Sequence, residues 1–315
     1  MKIISIIIPM YNEQESLPML YERLMKVLNN IKYDYEILFV NDGSGDKSLD
    51  IVKGFNRINS NVSYISLSRN FGKEVAMAAA FDYVIGDAAI IMDADLQHPP
   101  ELIHEMIKYW EQGYDDIYAK RRIRKGESAI KRYTAKKFYK ILGKVSRIPI
   151  QEDTGDFRLI SRRFIDELRK IRESQRYTKG MFSWVGLKKK EIYFDSEARI
   201  AGKTKWSYGK LIDLAVEGVT SFTVMPLKIS MILGMGIGTI SFIYLLYIVM
   251  KTLIFGVDTP GYASIICVVL FMGGIQLFSL GIIGEYLGRV FMETKNRPLY
   301  VVEEYKGKGS PHEKR

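Results

Sequence analysis

Ile3, Ile4, Ile6, Ile7 and Ile8 form a nearly unbroken β-branched run, the pattern of a parallel strand buried on both faces. A helical periodicity follows over roughly 14–29. A second apolar strand is read at 35–40, a helix at 47–59, a strand at 62–67, a helix at 73–84 and a strand at 88–92. Strands alternating with helices in this way predict βαβ units and a mostly parallel sheet. Polar clusters follow the first, second and fourth strands, and open α/β sheets bind ligands at these carboxyl ends.

The pattern then changes. Residues 120–147 are rich in Lys and Arg, with Tyr133, Phe138, Tyr139, Ile141 and Leu142 interleaved, as in a basic amphipathic helix. Further on, 229–250 and 263–283 carry no charge and are separated by a short loop containing Asp258. A bilayer core about 30 Å thick needs roughly 20 apolar residues per helix, so both stretches are long enough to span. The alternative is a pair of buried core helices. Lys and Arg concentrate outside the pair, including Lys203, Lys205, Lys210, Lys295, Arg297, Lys306 and Lys308. The positive-inside rule therefore predicts both termini in the cytoplasm, with the chain anchored in the plasma (inner) membrane. Leu211, Ile212, Leu214, Ala215, Val216, Val219 and Phe222 predict a helix lying at the membrane interface just before the first span. The N-terminal apolar run is short and lacks a small-residue cleavage site, so it is not read as a signal peptide.

Composition refines this picture at three points. The chain has 315 residues and a formal charge of +10. Anionic lipid headgroups account for that charge, and nucleic-acid binding would explain neither the acidic clusters nor the apolar stretches. A single Cys, Cys267, excludes an intramolecular disulfide framework and a multi-Cys metal site. There is no Gly-x-Gly-x-x-Gly and no Walker motif, so the dinucleotide and P-loop fingerprints are missing.

Asp93-Ala94-Asp95 is the sharpest chemical signal. Alone, such a pair reads as a cap or a turn. Placed after Ile90-Ile91-Met92 and before Leu96-Gln97-His98-Pro99-Pro100, two carboxylates suit a hard divalent cation shared with substrate phosphates. Pro9, Tyr11, Asn12 and Glu13 follow the first strand, and Asn41-Asp42-Gly43-Ser44 the second. Each tetrapeptide alone is an ordinary turn; three acidic clusters at equivalent strand ends point to one nucleotide site. His98 is read as structural.

Four segments carry a family resemblance: 5–13 (Ser-Ile-Ile-Ile-Pro-Met-Tyr-Asn-Glu), 40–44 (Val-Asn-Asp-Gly-Ser), 67–73 (Leu-Ser-Arg-Asn-Phe-Gly-Lys) and 92–100 (Met-Asp-Ala-Asp-Leu-Gln-His-Pro-Pro). Together they resemble family 2 glycosyltransferases. Thr154-Gly155-Asp156-Phe157-Arg158-Leu159 and the paired apolar stretches narrow the likeness to bacterial polyisoprenyl-phosphate glycosyltransferases, similar to dolichol-phosphate mannose synthase. The resemblance implies a GT-A α/β fold over 1–206, an interfacial segment at 207–228, a transmembrane hairpin within 229–288 and a cytoplasmic tail at 289–315. It implies a nucleotide-sugar donor, Mg²⁺ or Mn²⁺, and a polyisoprenyl-phosphate acceptor in the bilayer. By the same resemblance Pro9, Tyr11, Glu13 and Asp42 hold the nucleoside. Asp93, Ala94 and Asp95 attend ribose, metal and diphosphate, Gln97 faces the sugar, and Asp156 takes the catalytic-base position. The Gln-x-x-Arg-Trp motif of processive synthases is missing, since Gln175-Arg176-Tyr177 and Lys205-Trp206 do not fit it; a single transfer is expected, not chain elongation. A homo-oligomer is compatible with so small a hairpin.

A lipid phosphate has its second pKa near 6 and is mostly a dianion at pH 7. Basic groups are therefore needed against repulsion between it and the donor diphosphate. Arg121, Arg132, Lys203 and Lys205 are candidates by position, although each is also an ordinary surface charge. UDP-glucose is the expected donor, with UDP-N-acetylglucosamine the alternative sugar. Diacylglycerol is an alternative acceptor, and a non-catalytic membrane-anchored nucleotide-sugar sensor an alternative of another class.

Overall fold

The computed structural model describes residues 2–121, 154–174, 176–194, 225–256 and 261–309. The expected alternation appears as β1 (Ile3–Met10), α1 (Leu17–Leu28), β2 (Asp34–Asn41), α2 (Ser48–Ile58), β3 (Val62–Leu67), α3 (Lys73–Tyr83) and β4 (Ala88–Ile91). There follow α4 (Ile103–Glu111), β5 (Asp116–Arg121), β6 (Thr154–Ser161), α5 (Arg162–Lys170), α6 (Thr178–Val185) and β7 (Lys189–Phe194). Two long helices, α7 (Met225–Phe255) and α8 (Tyr262–Thr294), precede a last strand, β8 (Val302–Lys306).

All eight strands make one sheet in the order β7-β5-β6-β4-β1-β2-β3-β8. β6 and β8 run antiparallel to their neighbours, and the other described pairings are parallel. This is the mostly parallel α/β sheet of the GT-A class. Alternation along β1 explains its two-sided burial: Ile4, Ile6 and Ile8 enter one apolar core with residues of α1 and α4, while Ile7 enters another with α3 and α5. The chain order reverses beside β1, which has β2 on one side and β4 on the other. A crevice forms at the carboxyl ends of such neighbouring strands.

A buried ion pair braces the antiparallel strand. Arg158 on β6 and Asp116 on β5 have side chains 0% exposed, with Nη1 3.2 Å from Oδ2. The guanidinium also lies 3.8 Å from the centre of the Phe182 ring. This contact aligns β6, whose third residue is Asp156.

The apolar stretches lie within α7 and α8, and each helix outruns its uncharged core. Both are long and apolar enough to cross a membrane. Most of their described large apolar side chains are exposed; Leu253 is 78% and Leu277 72% exposed. A core helix would bury such residues, so the described parts of α7 and α8 are not core helices of this chain. α8 continues past the uncharged stretch because Glu285 and Arg289, paired at i,i+4, suit a helix surface.

Residues 302–306, within the stretch expected as a tail, rejoin the sheet as β8, antiparallel to β3 with Val302 opposite Leu67. Glu304 accepts from Tyr64 Oη at 2.6 Å and meets Lys53 Nζ at 2.5 Å. Tyr300 donates to Asp82, which Arg172 also grips, and Glu293 accepts from Ser174. The end of α8 is thus tied to the α/β domain by strand pairing and by side chains.

Candidate active site

The loops after β1 and β2 are stitched together. Asn12 N donates to Ser44 Oγ at 3.0 Å, Gly45 N to Asn12 Oδ1 at 2.9 Å and Glu13 N to Ser48 Oγ at 2.8 Å. Asn12 supports this with a left-handed φ of 55°, which Asn tolerates better than most residues. Pro9 is buried near the end of β1, Tyr11 just after the strand is exposed, and Glu13 accepts from Ser16 Oγ.

Asp42 is buried, and its two oxygens accept from the Phe71 and Gly72 amides at 2.7 and 2.9 Å. Burial pushes its carboxyl up, while these amides pull the other way. Asp42 therefore anchors the β3–α3 loop, and each oxygen keeps a lone pair for a ligand. Gly43 beside it has φ +65°, and a Cβ there would lie 2.4 Å from the Arg69 carbonyl carbon. Gly43→Ala is expected to cost about 1–2 kcal/mol for the left-handed backbone alone, and to displace the loop that Asp42 holds. Calorimetric titration with UDP, the nucleotide of the expected donor, should show weakened binding; wild-type affinity would separate this loop from the expected nucleotide site.

The β4 loop presents the acidic pair. Leu96 turns the chain with φ 62°, and Asp95 Oδ1 accepts from Gln97 N at 3.1 Å. Ala94 is buried in the core, so its methyl cannot touch a nucleotide and any contact from this position is made by the backbone. His98 is buried, with Nδ1 accepting from Asp93 N at 3.2 Å and the ring stacked on Phe157 with centroids 4.9 Å apart. Burial lowers its pKa, which favours the neutral ring that this acceptor role requires.

Asp156 at the start of β6 comes to the same place as Asp93. Lys73, the first residue of α3, joins them, with Nζ 2.5 Å from Asp93 Oδ1 and 2.6 Å from Asp156 Oδ2. Burial would raise the Asp156 carboxyl, but Lys73, with Lys179 and Arg158 behind it, holds it well below the usual range. Asp93 is likewise pushed up by burial and brought below its ordinary value by Lys73. Glu74 turns the other way, accepts from Thr178 N at 3.0 Å, and is raised to about 7 by burial and by the Asp156 charge.

Arg121 at the end of β5 donates to Gln97 Oε1 at 3.0 Å, which brings this candidate cation to the residue expected to face the sugar. Arg132, Lys203 and Lys205, the basic stretch beyond Arg121 and the interfacial helix up to residue 224 lie outside the described residues. The motif reading gave no task to Lys73 or Glu74. A Lys-Glu pair opening a helix is unremarkable in sequence, and the approach of α3 to β4 and β6 is tertiary.

Among the described residues no three His, Cys, Asp or Glu side chains cluster as a metal cage. Asp93 and Asp95 nonetheless fit a hard divalent cation that draws its remaining oxygens from a diphosphate and water, the usual manner of Mg²⁺.

The family model for glycosyl transferase family 2 matches residues 5–169, and that for the GtrB C-terminal hairpin matches 225–290. The chain belongs to glycosyltransferase family 2. It is similar over its length to an uncharacterized glycosyltransferase of Synechocystis, 49% identical with 96% of each chain covered. A prophage bactoprenol glucosyl transferase homolog of Escherichia coli is 40% identical, covering 96% of this chain and 99% of that one. An SfII prophage-derived bactoprenol glucosyl transferase of Shigella flexneri is 39% identical, covering 95% and 97%. The family 2 domain spans the crevice from β1 to α5, and the enzyme is a glycosyltransferase with a C-terminal apolar hairpin.

Proposed function

We propose that this glycosyltransferase moves one glucose from UDP-glucose to a polyisoprenyl phosphate, undecaprenyl phosphate in a bacterium, at the cytoplasmic face of the plasma membrane. The anomeric C1–O bond to UDP breaks and a bond from an acceptor phosphate oxygen to C1 forms. In-line attack inverts the configuration at C1. The leaving UDP takes the bonding pair, and an acceptor that arrives as a monoanion gives its proton to Asp156 or to water.

The residues divide this work. Tyr11, Glu13 and the loop anchored by Asp42 receive the nucleoside, and Gln97 with Arg121 orients the sugar. Asp93 and Asp95 hold the diphosphate end, where a divalent cation supplies charge neutralisation for the departing UDP. Asp156 orients the acceptor.

The observation that carries the acceptor assignment is the direction of the chain. β7 ends at Phe194 beside His98, ring centroids 6.0 Å apart. From α8 the chain enters the sheet opposite Leu67, at the carboxyl end of β3. β7 ends, and the chain after α8 re-enters the sheet, at the end that carries the acidic pair, which supports an acceptor presented from the side of the hairpin. The names of the two bactoprenol glucosyl transferase relatives support the same acceptor and sugar.

The test is a panel of radiolabelled nucleotide sugars with purified protein and undecaprenyl phosphate, followed by lipid extraction. Label is expected in the lipid from UDP-glucose. Label from UDP-N-acetylglucosamine instead would change the sugar; label only with diacylglycerol, or none with any lipid, would sink the acceptor assignment.

Topology has its own test. A hairpin whose two ends join one domain places both on one side of the membrane, and Lys and Arg at those ends favour the cytoplasm. With Cys267 replaced, a single cysteine at Thr259 is expected to react with an impermeant maleimide on intact cells, and one at Ser310 is not. The reverse pattern would put the catalytic domain outside.

A further inference from the structure

Lys73 stands between the two acidic parts of the site. Gly72, with φ +96°, turns the chain into α3, and Asp42 fixes that turn through the Phe71 and Gly72 amides. The Lys73 ammonium then reaches Asp93 Oδ1 at 2.5 Å and Asp156 Oδ2 at 2.6 Å. Its side chain is 39% exposed, against 13% for Asp156, so the ammonium is reachable from solvent while the carboxylate is mostly covered. The second oxygen of Asp156, Oδ1, is buried with no hydrogen-bond partner among the described residues. The direction in which Asp156 points therefore depends on Lys73.

Asp93 Oδ1 is also an oxygen that the proposed function gives to the cation and diphosphate. An ammonium and a divalent cation on one oxygen repel each other. We propose that Lys73 is a positioning residue that aims Asp156 and competes with the divalent cation for Asp93, so that loading of the donor site frees Lys73 from Asp93 and leaves it on Asp156. The inference rests on Asp93 and Asp95 being the cation carboxylates. It couples donor loading to the acceptor side of the crevice through one side chain.

The consequence is an opposition that a structural role would not produce. Loss of the ammonium should tighten cation binding while it slows transfer; simple damage to the site would weaken both. The experiment uses full-length protein in detergent. Mn²⁺ binding is followed by electron paramagnetic resonance with the metal alone and with UDP, for wild type, Lys73→Met and Lys73→Arg, beside kcat and KM for transfer. Lys73→Met is expected to bind Mn²⁺ roughly 5-fold more tightly, the scale of one partly exposed charge contact. Its kcat should fall by about 10- to 100-fold, as for a reacting group held out of line, with donor KM little changed. Lys73→Arg keeps the charge and should retain the wild-type Mn²⁺ affinity and recover part of kcat.

Unchanged or weaker Mn²⁺ binding by a folded Lys73→Met, or Lys73→Arg behaving as Lys73→Met, would overturn the proposal. Circular dichroism establishes folding, and Lys73→Gln carries the same readouts should the Met variant misfold. Asp95→Asn separates the two levels of failure. If wild type binds Mn²⁺ with UDP no better than Asp95→Asn does, the cation assignment falls and the competition falls with it. If Asp95 matters and Lys73 does not, the competition alone is wrong.

Discussion

Asp95→Asn is expected to leave a folded protein that no longer transfers sugar. Asp95 Oδ1 accepts from Gln97 N at 3.1 Å in the turn that Leu96 closes with φ 62°. Asparagine keeps an oxygen in that place, so the turn survives while the charge is lost. The charge matters because Asp93 already makes this end of the crevice acidic and, in the proposed function, a diphosphate binds there. Without a cation the site repels its own substrate. Metal stabilisation of a leaving group is worth several kcal/mol, so the rate should drop by roughly 10³-fold or more. UDP binding should lose its dependence on Mn²⁺ in the same variant, and excess EDTA should silence the wild type. Substantial transfer in EDTA, or by folded Asp95→Asn, would count against a metal-dependent site.

That expectation could be framed from sequence because the acidic pair follows a strand of pure apolar residues, Ala88–Ile91. The ends of β1 and β2 were legible for the same reason. A β-branched run marks a buried strand, and the polar residues after it have nowhere to go but the carboxyl edge of the sheet. The contacts that complete the site were not legible. β8 contains two glutamates and a lysine, and one of its side-chain contacts, Tyr64 to Glu304, spans 240 positions; nothing local marks it as a strand. Arg158 enters the sequence reading only as part of the 154–159 segment, with no partner named, yet it is fully buried against Asp116 and Phe182. Ala94 reads as part of the nucleotide motif, yet the turn at Leu96 leaves its methyl in the core. Lys73 shows the limit most clearly, because its meaning comes from two carboxylates brought to it by β4 and β6.

Asp156→Asn tests what the carboxylate at this junction does. Lys73 holds the Asp156 carboxyl below its usual range despite burial. A depressed folded pKa means that stability from this group is present above its unfolded value near 4 and is lost only as pH falls through the lower folded value. Asp156 is thus ionised throughout pH 6–8, and no change in rate across that window comes from its own titration. The same depression makes it a weak base, one that takes a proton only as the monoanionic acceptor turns into a strongly acidic diester in the transition state. The phosphate of the proposed acceptor does titrate there, with its second pKa near 6. Were Asp156 an obligate base, Asp156→Asn should lose about 10²- to 10⁴-fold at every pH. We expect a deficit of that size below about pH 6, where the lipid phosphate still carries a proton, and a narrowing deficit as pH passes about 7 and the dianion attacks unaided. Glu74, raised to about 7 by burial and by Asp156, also titrates in this window, and its pKa should fall in the variant that lacks the Asp156 charge. Glu74→Gln, alone and combined with Asp156→Asn, removes that contribution. The measurement is initial transfer rate against pH for the four proteins, with UDP affinity measured separately. Near-normal rates for Asp156→Asn would take Asp156 out of the reaction. A constant deficit would restore it as base, and a collapse of UDP affinity would move it to the donor site.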